Sequence, residues 1–387
     1  MRPFLVGSAA TTGLILALAL PLQRTGLSAE PTLEPFKGVT TNGRVQPGLF
    51  QHTTTGIAQQ QMVAAAQGFL ASLTAQQRAK TQFPISSDIK RRWTNVSSAK
   101  RYGMSYAEMT PVQRQKADAL LQAFLSTEGF RQSKDIMRIN GYLAEATGDR
   151  QRYGDDLFWI SVFGDPIAGK PWGWRLEGHH LVLAVNIVGD QVVLTPSFMG
   201  AEPTRIPTGP NQGVVVMQTQ ESTARTLINS LNAKQQTSAQ LSSQKAGSHM
   251  LSEAYKDNAV IPQVGLSAKE LNSQQQKLLM AVITSFADQY RQELSAERIK
   301  EVKAHLNDTT FGWIGSNGVD APIYYRIQSP VLLIEFDQQR AVSLPGDPNK
   351  PLRSHVHTMV RTPNGNDYGE NLLQQHLQQD HNHSHHH

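Results

Sequence analysis

The chain has 387 residues, 39% of them hydrophobic, and carries 36 basic against 31 acidic side chains, a formal charge of +5. It contains no cysteine, which excludes disulfides, thiolate metal sites, a cysteine nucleophile and a lipid anchor on cysteine. So small a charge gives no argument for nucleic acid, and it falls further if Arg2 and Arg24 leave with a leader.

Residues 1–29 read as an export signal. Arg2 supplies the positive start, Leu14 to Leu20 the apolar core, and the small residues around Ser28-Ala29 a cleavage site. The expected location is periplasmic or extracellular. No other window approaches the apolar length that crosses a bilayer, so no membrane is expected once the leader is removed. Residues 30–58 are rich in Pro, Gly and Thr without periodicity, the profile of an extended or flexible segment.

A single α+β domain is expected over 59–378. Its first third reads as helix: Met62, Ala65, Ala66, Phe69, Leu70 and Leu73 recur at helical spacing, and Thr110-Pro111 is a capped start leading into Leu120, Leu121 and Phe124. Another helical stretch follows through Ile136, Ile139 and Leu143. From Leu157 onward FWISVFG, HLVLAVNIV and QVVLTP read as strands, and TFGWIG, IYYRI, VLLIEFD and HVHTMVR resume them after helices at Gln220 to Leu231 and Gln274 to Leu294. A short helix, Asn371 to Gln378, precedes a His-rich flexible tail over 379–387. The fold class read from this order is α+β: a helical N-terminal third, then a mainly antiparallel sheet with helical insertions. No internal repeat at a fixed period is evident.

Chemistry concentrates in two strand-like motifs. In HVHTMVR a period of two puts His355, His357 and Arg361 on one face, so two imidazoles can meet one ion. In WGWRLEGHH the same period groups Arg175, Glu177 and His179 and sends His180 the other way, which favours His179 as a third ligand while leaving His180 as the alternative. Three imidazoles, with Glu335 or Glu177 as base or orienter, have the ligand inventory of a zinc, copper or iron site, zinc or copper foremost; an open fourth position on zinc suits metal-assisted hydrolysis, and copper or iron would suit oxygen chemistry. Arg175, Arg361 and Trp174 are the candidate substrate contacts. The plainer readings are salt bridges for Glu335 and Asp337, core or cleft-wall packing for the tryptophans, and hydrogen-bonded core histidines. Walker loops and a G-x-S-x-G elbow are absent from the sequence. The terminal HNHSHHH chelates metal loosely by composition alone and says nothing about the internal histidines.

Taken together, WGWRLEGHH, Thr195-Pro196 with Phe198, Gly200, Ala201 and Pro203, IEFD ending at Asp337, His355-Val-His357 and Asn366-Asp367-Tyr-Gly369 resemble the bacterial family catalogued as domain of unknown function 3500. The resemblance covers about Trp93 to Leu373 and implies no established activity. Where that family is expected to carry Asn-His-x-His, this chain has Ser354-His-Val-His. Cupins also use HxH, but the glutamate that follows theirs is missing here, with Arg361 in that region. Two functions follow as expectations: an exported metal-dependent hydrolase, or a non-enzymatic binding protein for a metal or small ligand.

Overall fold

Each buried strand is filled by apolar and β-branched residues on the side that meets helices, and the strands assemble into one sheet. The computed structural model describes residues 30–384. The expected leader at 1–29 lies outside the described residues, as do the side chains of the His-rich end from residue 380. Residues from Pro35 onward form one unit.

Thirteen strands make up the sheet. The first seven are β1 (Gln82–Phe83), β2 (Met104–Ser105), β3 (Phe158–Gly164), β4 (Trp172–Gly178), β5 (Leu181–Val188), β6 (Gln191–Val193) and β7 (Ser197–Ala201). The rest are β8 (Gln240–Ser242), β9 (Leu266–Ser267), β10 (Thr310–Gly315), β11 (Ile323–Gln328), β12 (Leu333–Arg340) and β13 (Pro351–Arg361). Their order is β1-β3-β4-β5-β7-β13-β12-β11-β10-β8, with β2 beside β3, β6 beside β5 and β9 beside β10.

This corrects the expected architecture. The sheet is mixed, since β1–β3 and β8–β10 pair in parallel, and helices run through the whole chain rather than filling its first third. The strands inside that third, QF and MS, are two residues long, too short for a period of two to show in sequence.

The order of strands also shows a duplication. Each half runs through two helices and a short strand, then another short strand and two more helices, then an antiparallel meander. The helices Gln60–Ala71, Ala75–Thr81, Pro111–Gln122 and Thr127–Thr147 correspond in turn to Gln218–Ser230, Ala233–Ala239, Ser273–Ala287 and Gln292–Ala304. The strand order reads alike from both ends, and the halves join at β7–β13, where Ser197 faces Val360.

Side chains repeat the relation. Thr74 and Asn232 start matching helices with capping boxes to Gln77 and Gln235. Gln113 donates to the Ser72 carbonyl and Gln77, and Gln275 donates to the Ser230 carbonyl and Gln235. Gly103 and Gly265, both at positive φ, press against the carbonyls of Ile160 and Phe311, where a Cβ would lie 2.2 and 2.4 Å from oxygen. No fixed period exposes this in sequence because unequal insertions change the offset between equivalents such as Ser72 with Ser230, Gly103 with Gly265 and Trp172 with Ile323.

One face of the sheet carries the helices: Trp172 and Trp174 pack edge-on against Phe124, and Tyr325 donates to the Gln220 carbonyl. On the other face Val182, Phe198 and Met359 cluster with Trp93 and Tyr368 beneath irregular connections. Burial of such large side chains stabilises by roughly 1.5–3 kcal/mol each. The candidate site lies at the edge of this second cluster. Among the described residues no helix is long and apolar enough to cross a membrane.

Candidate metal centre

β4 and β5 pair Gly178 with Leu181, leaving His179-His180 as a two-residue hairpin loop. His180 takes a left-handed conformation there, with φ at 62°. Strand alternation therefore does not govern this pair. The two rings stack with centroids 3.9 Å apart and planes 25° from parallel.

The residue brought to the β13 histidines is His180, whereas alternation favoured His179. The Nε2 atoms of His180 and His357 lie 3.2 Å apart, and those of His357 and His355 also 3.2 Å. One nitrogen from each of the three rings lies within 4.8 Å of the others. The β13 pair comes from the second half of the chain and His180 from the first. At the pseudo-symmetric position the turn is Pro330-Val331 and the strand residues are Val192, Val193 and Leu194, so the duplication carries one such site.

What the Nδ1 atoms touch decides the chemistry of the Nε2 atoms. His355 Nδ1 meets the Arg340 carbonyl oxygen, which can only accept, and His357 Nδ1 meets Glu253 Oε1 at 2.9 Å. Both Nδ1 atoms therefore carry the proton, and in a neutral ring Nε2 presents a lone pair. Two lone pairs facing at hydrogen-bond distance repel unless a proton or a cation lies between them.

Burial, then the neighbouring His179, His357 and His355, pushes the His180 imidazole well below its ordinary range. Burial, then His357, pushes His355 down to about 4, against the opposing pull of Glu202. Protonation of His180 and His355 is thus disfavoured, and a cation placed between the facing nitrogens would relieve the repulsion.

The same shift gives metal-free protein a pH dependence. An unfolded histidine ionises near 6.5, so below that pH the unfolded chain takes up protons the folded one refuses. Stability from this source is complete above about pH 6.5 and is lost as pH falls towards 4. Urea unfolding of metal-free protein across that window is expected to show the loss; a flat profile would contradict it.

Close packing keeps the rings together. Gly200 of β7 lies opposite His357, and a Cβ there would sit 3.1 Å from His180 Cδ2, 3.3 Å from His357 Cδ2 and 2.6 Å from the Val356 carbonyl oxygen. Any side chain at this position would drive the rings apart. His179 lies outside the trio. Its Nδ1 bonds Asn140 Oδ1 at 2.8 Å, Asn140 is itself fixed by donating to the Gly154 carbonyl, and Tyr153 packs on the ring. The stack thereby holds His180 in place from behind.

A family model described as "Protein of unknown function (DUF3500)" matches residues 55–370. The chain belongs to this family. Comparison with curated proteins and with solved structures returns no match.

In this DUF3500 chain the other residues singled out in sequence lie in buried polar networks away from the three Nε2 atoms. Glu177 pairs with Arg175 at 2.7 Å and with Arg101 at 3.8 Å, and accepts from the Thr94 amide. Arg175 also donates to the carbonyls of Ile89 and Lys90, while Trp174 packs on Phe124. Glu335 accepts from the amides of Leu251 and Ser252, the Ser252 hydroxyl and Tyr324. Burial nonetheless holds its carboxyl above the ordinary range. Arg361 donates to the carbonyls of Ser252 and Glu253 and to Asp257 and Asp367, each carboxylate at 2.9 Å. The salt-bridge reading fits Asp337, though with Lys245 at 2.9 Å as its partner. Glu335 and Arg361 thus both grip the segment that presents Glu253.

Sequence reasoning missed Glu253, Glu202 and the Arg340 carbonyl. Glu253 sits in an aperiodic loop, and a main-chain carbonyl has no sequence signature. Glu202 follows Gly200-Ala201, but nothing in the sequence links it to His355. Because orienting partners of ligand histidines typically contribute 10–100-fold to metal affinity, Glu253→Ala is expected to weaken zinc binding by about that factor with little change in Tm. Isothermal titration and a thermal scan check both halves of this statement.

Proposed function

We propose that His180, His355 and His357 hold one divalent metal ion, zinc before copper, and that the protein works as an exported metalloprotein with an open coordination position. The observation that carries this reading is the convergence of three Nε2 atoms, of which those of His355 and His357 are held as lone pairs by their Nδ1 partners. Zinc–nitrogen bonds of about 2.0–2.1 Å in tetrahedral geometry separate ligand nitrogens by roughly 3.3 Å, close to the 3.2 Å of both measured edges. Export rests on the N-terminal signal pattern.

Three protein ligands leave a fourth position for water or a small ligand, and a divalent ion lowers the pKa of water bound there enough for hydrolysis at neutral pH. In this chain Glu253 orients His357 and is itself 31% exposed on its side chain, which puts a carboxylate at the rim within reach of solvent. Glu177 and Glu335, whose oxygens are taken up elsewhere, support the site by position rather than by proton transfer. Metal-dependent hydrolysis of a small molecule is the activity this arrangement favours.

A second reading, metal holding without catalysis, is favoured by burial: none of the three residues is more than 9% exposed. Cobalt(II) substitution separates the two. An accessible open position predicts a visible-spectrum change on adding azide, and a closed shell predicts none. The metal reading itself is tested on a chain ending at Gln379, freed of the terminal histidines. One zinc per chain is expected, and metal well below that ratio, unchanged in His355→Ala, would overturn it.

A further inference from the structure

Resting on that metal site, we infer that Glu202 is a positioning residue that couples metal binding to the segment 341–350, a flap beside the centre. The segment AVSLPGDPNK joins β12 to β13 and has neither helix nor strand. It leaves β12 at Arg340, whose carbonyl accepts from His355 Nδ1, and re-enters the sheet where the β12–β13 register breaks.

Its near end is fastened by one carboxylate. The amides of Val342 and Ser343 donate to Glu202 at 2.8 Å and that of Leu344 at 3.2 Å. Tyr153, which packs on His179, shares a hydrogen bond with Ser343, and Leu344 packs against Leu143 and Ala144. Val342 beside these anchors is 65% exposed, so little hydrophobic burial holds the flap down.

Glu202 also faces the metal centre. Its carboxylate lies 3.9 Å from His355 Nδ1, and among the described ion pairs that ring is its partner. A buried anion whose charge rests on three backbone amides and an imidazole gains when a cation sits on the opposite nitrogen of that imidazole. The three amides hold Glu202 in the place where it faces His355, so the state with these hydrogen bonds made is the one in which Glu202 and the cation attract most strongly. By linkage, a metal that tightens the flap is itself bound more tightly when the flap is closed.

The test is amide hydrogen exchange on the full-length protein, with and without one equivalent of zinc, in the wild type, Glu202→Gln, Tyr153→Phe and His180→Ala. Zinc is expected to slow exchange at Val342, Ser343 and Leu344 by about tenfold in the wild type, within the usual range of coupling between sites. It should do so in Tyr153→Phe, which loosens the flap without altering the charge. It should not do so in Glu202→Gln, which keeps the shape but not the anion, or in His180→Ala. Zinc bound by the wild type, reduced by His180→Ala, yet without effect on these amides, overturns the flap inference and leaves the metal site standing. Zinc held equally by wild type and His180→Ala when both chains end at Gln379 overturns both.

Discussion

Replacing His357 with alanine is expected to weaken zinc binding several hundredfold and leave the fold intact. His357 is the middle of the three, with its Nε2 at 3.2 Å from each neighbour's Nε2, so its loss leaves His180 and His355 without a shared partner between them. Zinc sites built from protein ligands are worth about 10–16 kcal/mol at neutral pH, and forfeiting one ligand of three costs on the order of 3–4 kcal/mol, several hundredfold in affinity. Metal-free stability should change little or rise, because a facing pair of lone pairs is relieved. Competition against a chromophoric chelator, with a urea titration of the metal-free protein, checks both statements. Affinity within a few-fold of wild type would contradict the assignment of His357.

Arg361→Met is expected to be the more damaging change to the fold. Arg361 is fully buried and its Nη1 bridges Asp257 and Asp367, both buried. Removing Arg361 leaves Asp367 without its partner among the described ion pairs, while Asp257 keeps Arg91 at 3.0 Å, and breaking a buried pair in this way typically costs about 3–5 kcal/mol. The same guanidinium holds the carbonyls of Ser252 and Glu253, so metal affinity should fall as well through loss of the Glu253 contact to His357. A ligand-contacting arginine behaves differently: its removal weakens ligand binding and leaves stability near wild type. A thermal scan distinguishes the two, with a fall in Tm of several degrees expected here.

The sequence made the β13 half of the site visible because HVH lies within a regular strand, where a period of two brings His355 and His357 to one face. For the other half the same rule favours His179 and keeps His180 as the alternative, and it is His180 that the structure brings to the pair. Gly178-His179-His180-Leu181 is a hairpin turn rather than strand, and the left-handed residue is a histidine, not the glycine or asparagine that marks such turns. The carboxylates were chosen by periodicity in strands, which finds Glu177 and Glu335 but not Glu253 or Glu202. Those two reach the histidines through a loop and a strand end, contacts that depend on how distant segments pack.

The fold shows the same division. Long periodic segments such as Ile323–Gln328 and Leu333–Arg340 were legible, whereas two-residue strands and a duplication with drifting offsets were not. The duplication places the histidines. It supplies two equivalent β-meanders that meet at Ser197 and Val360, and the three histidines occupy one of the two equivalent positions while valine, leucine and proline fill the other.

The most direct test is anomalous diffraction at the zinc absorption edge from crystals of the chain ending at Gln379, grown with equimolar zinc. A single peak is predicted about 2.0–2.1 Å from the Nε2 atoms of His180, His355 and His357. A peak elsewhere, or none while the three rings keep their 3.2 Å spacings, would contradict the metal centre.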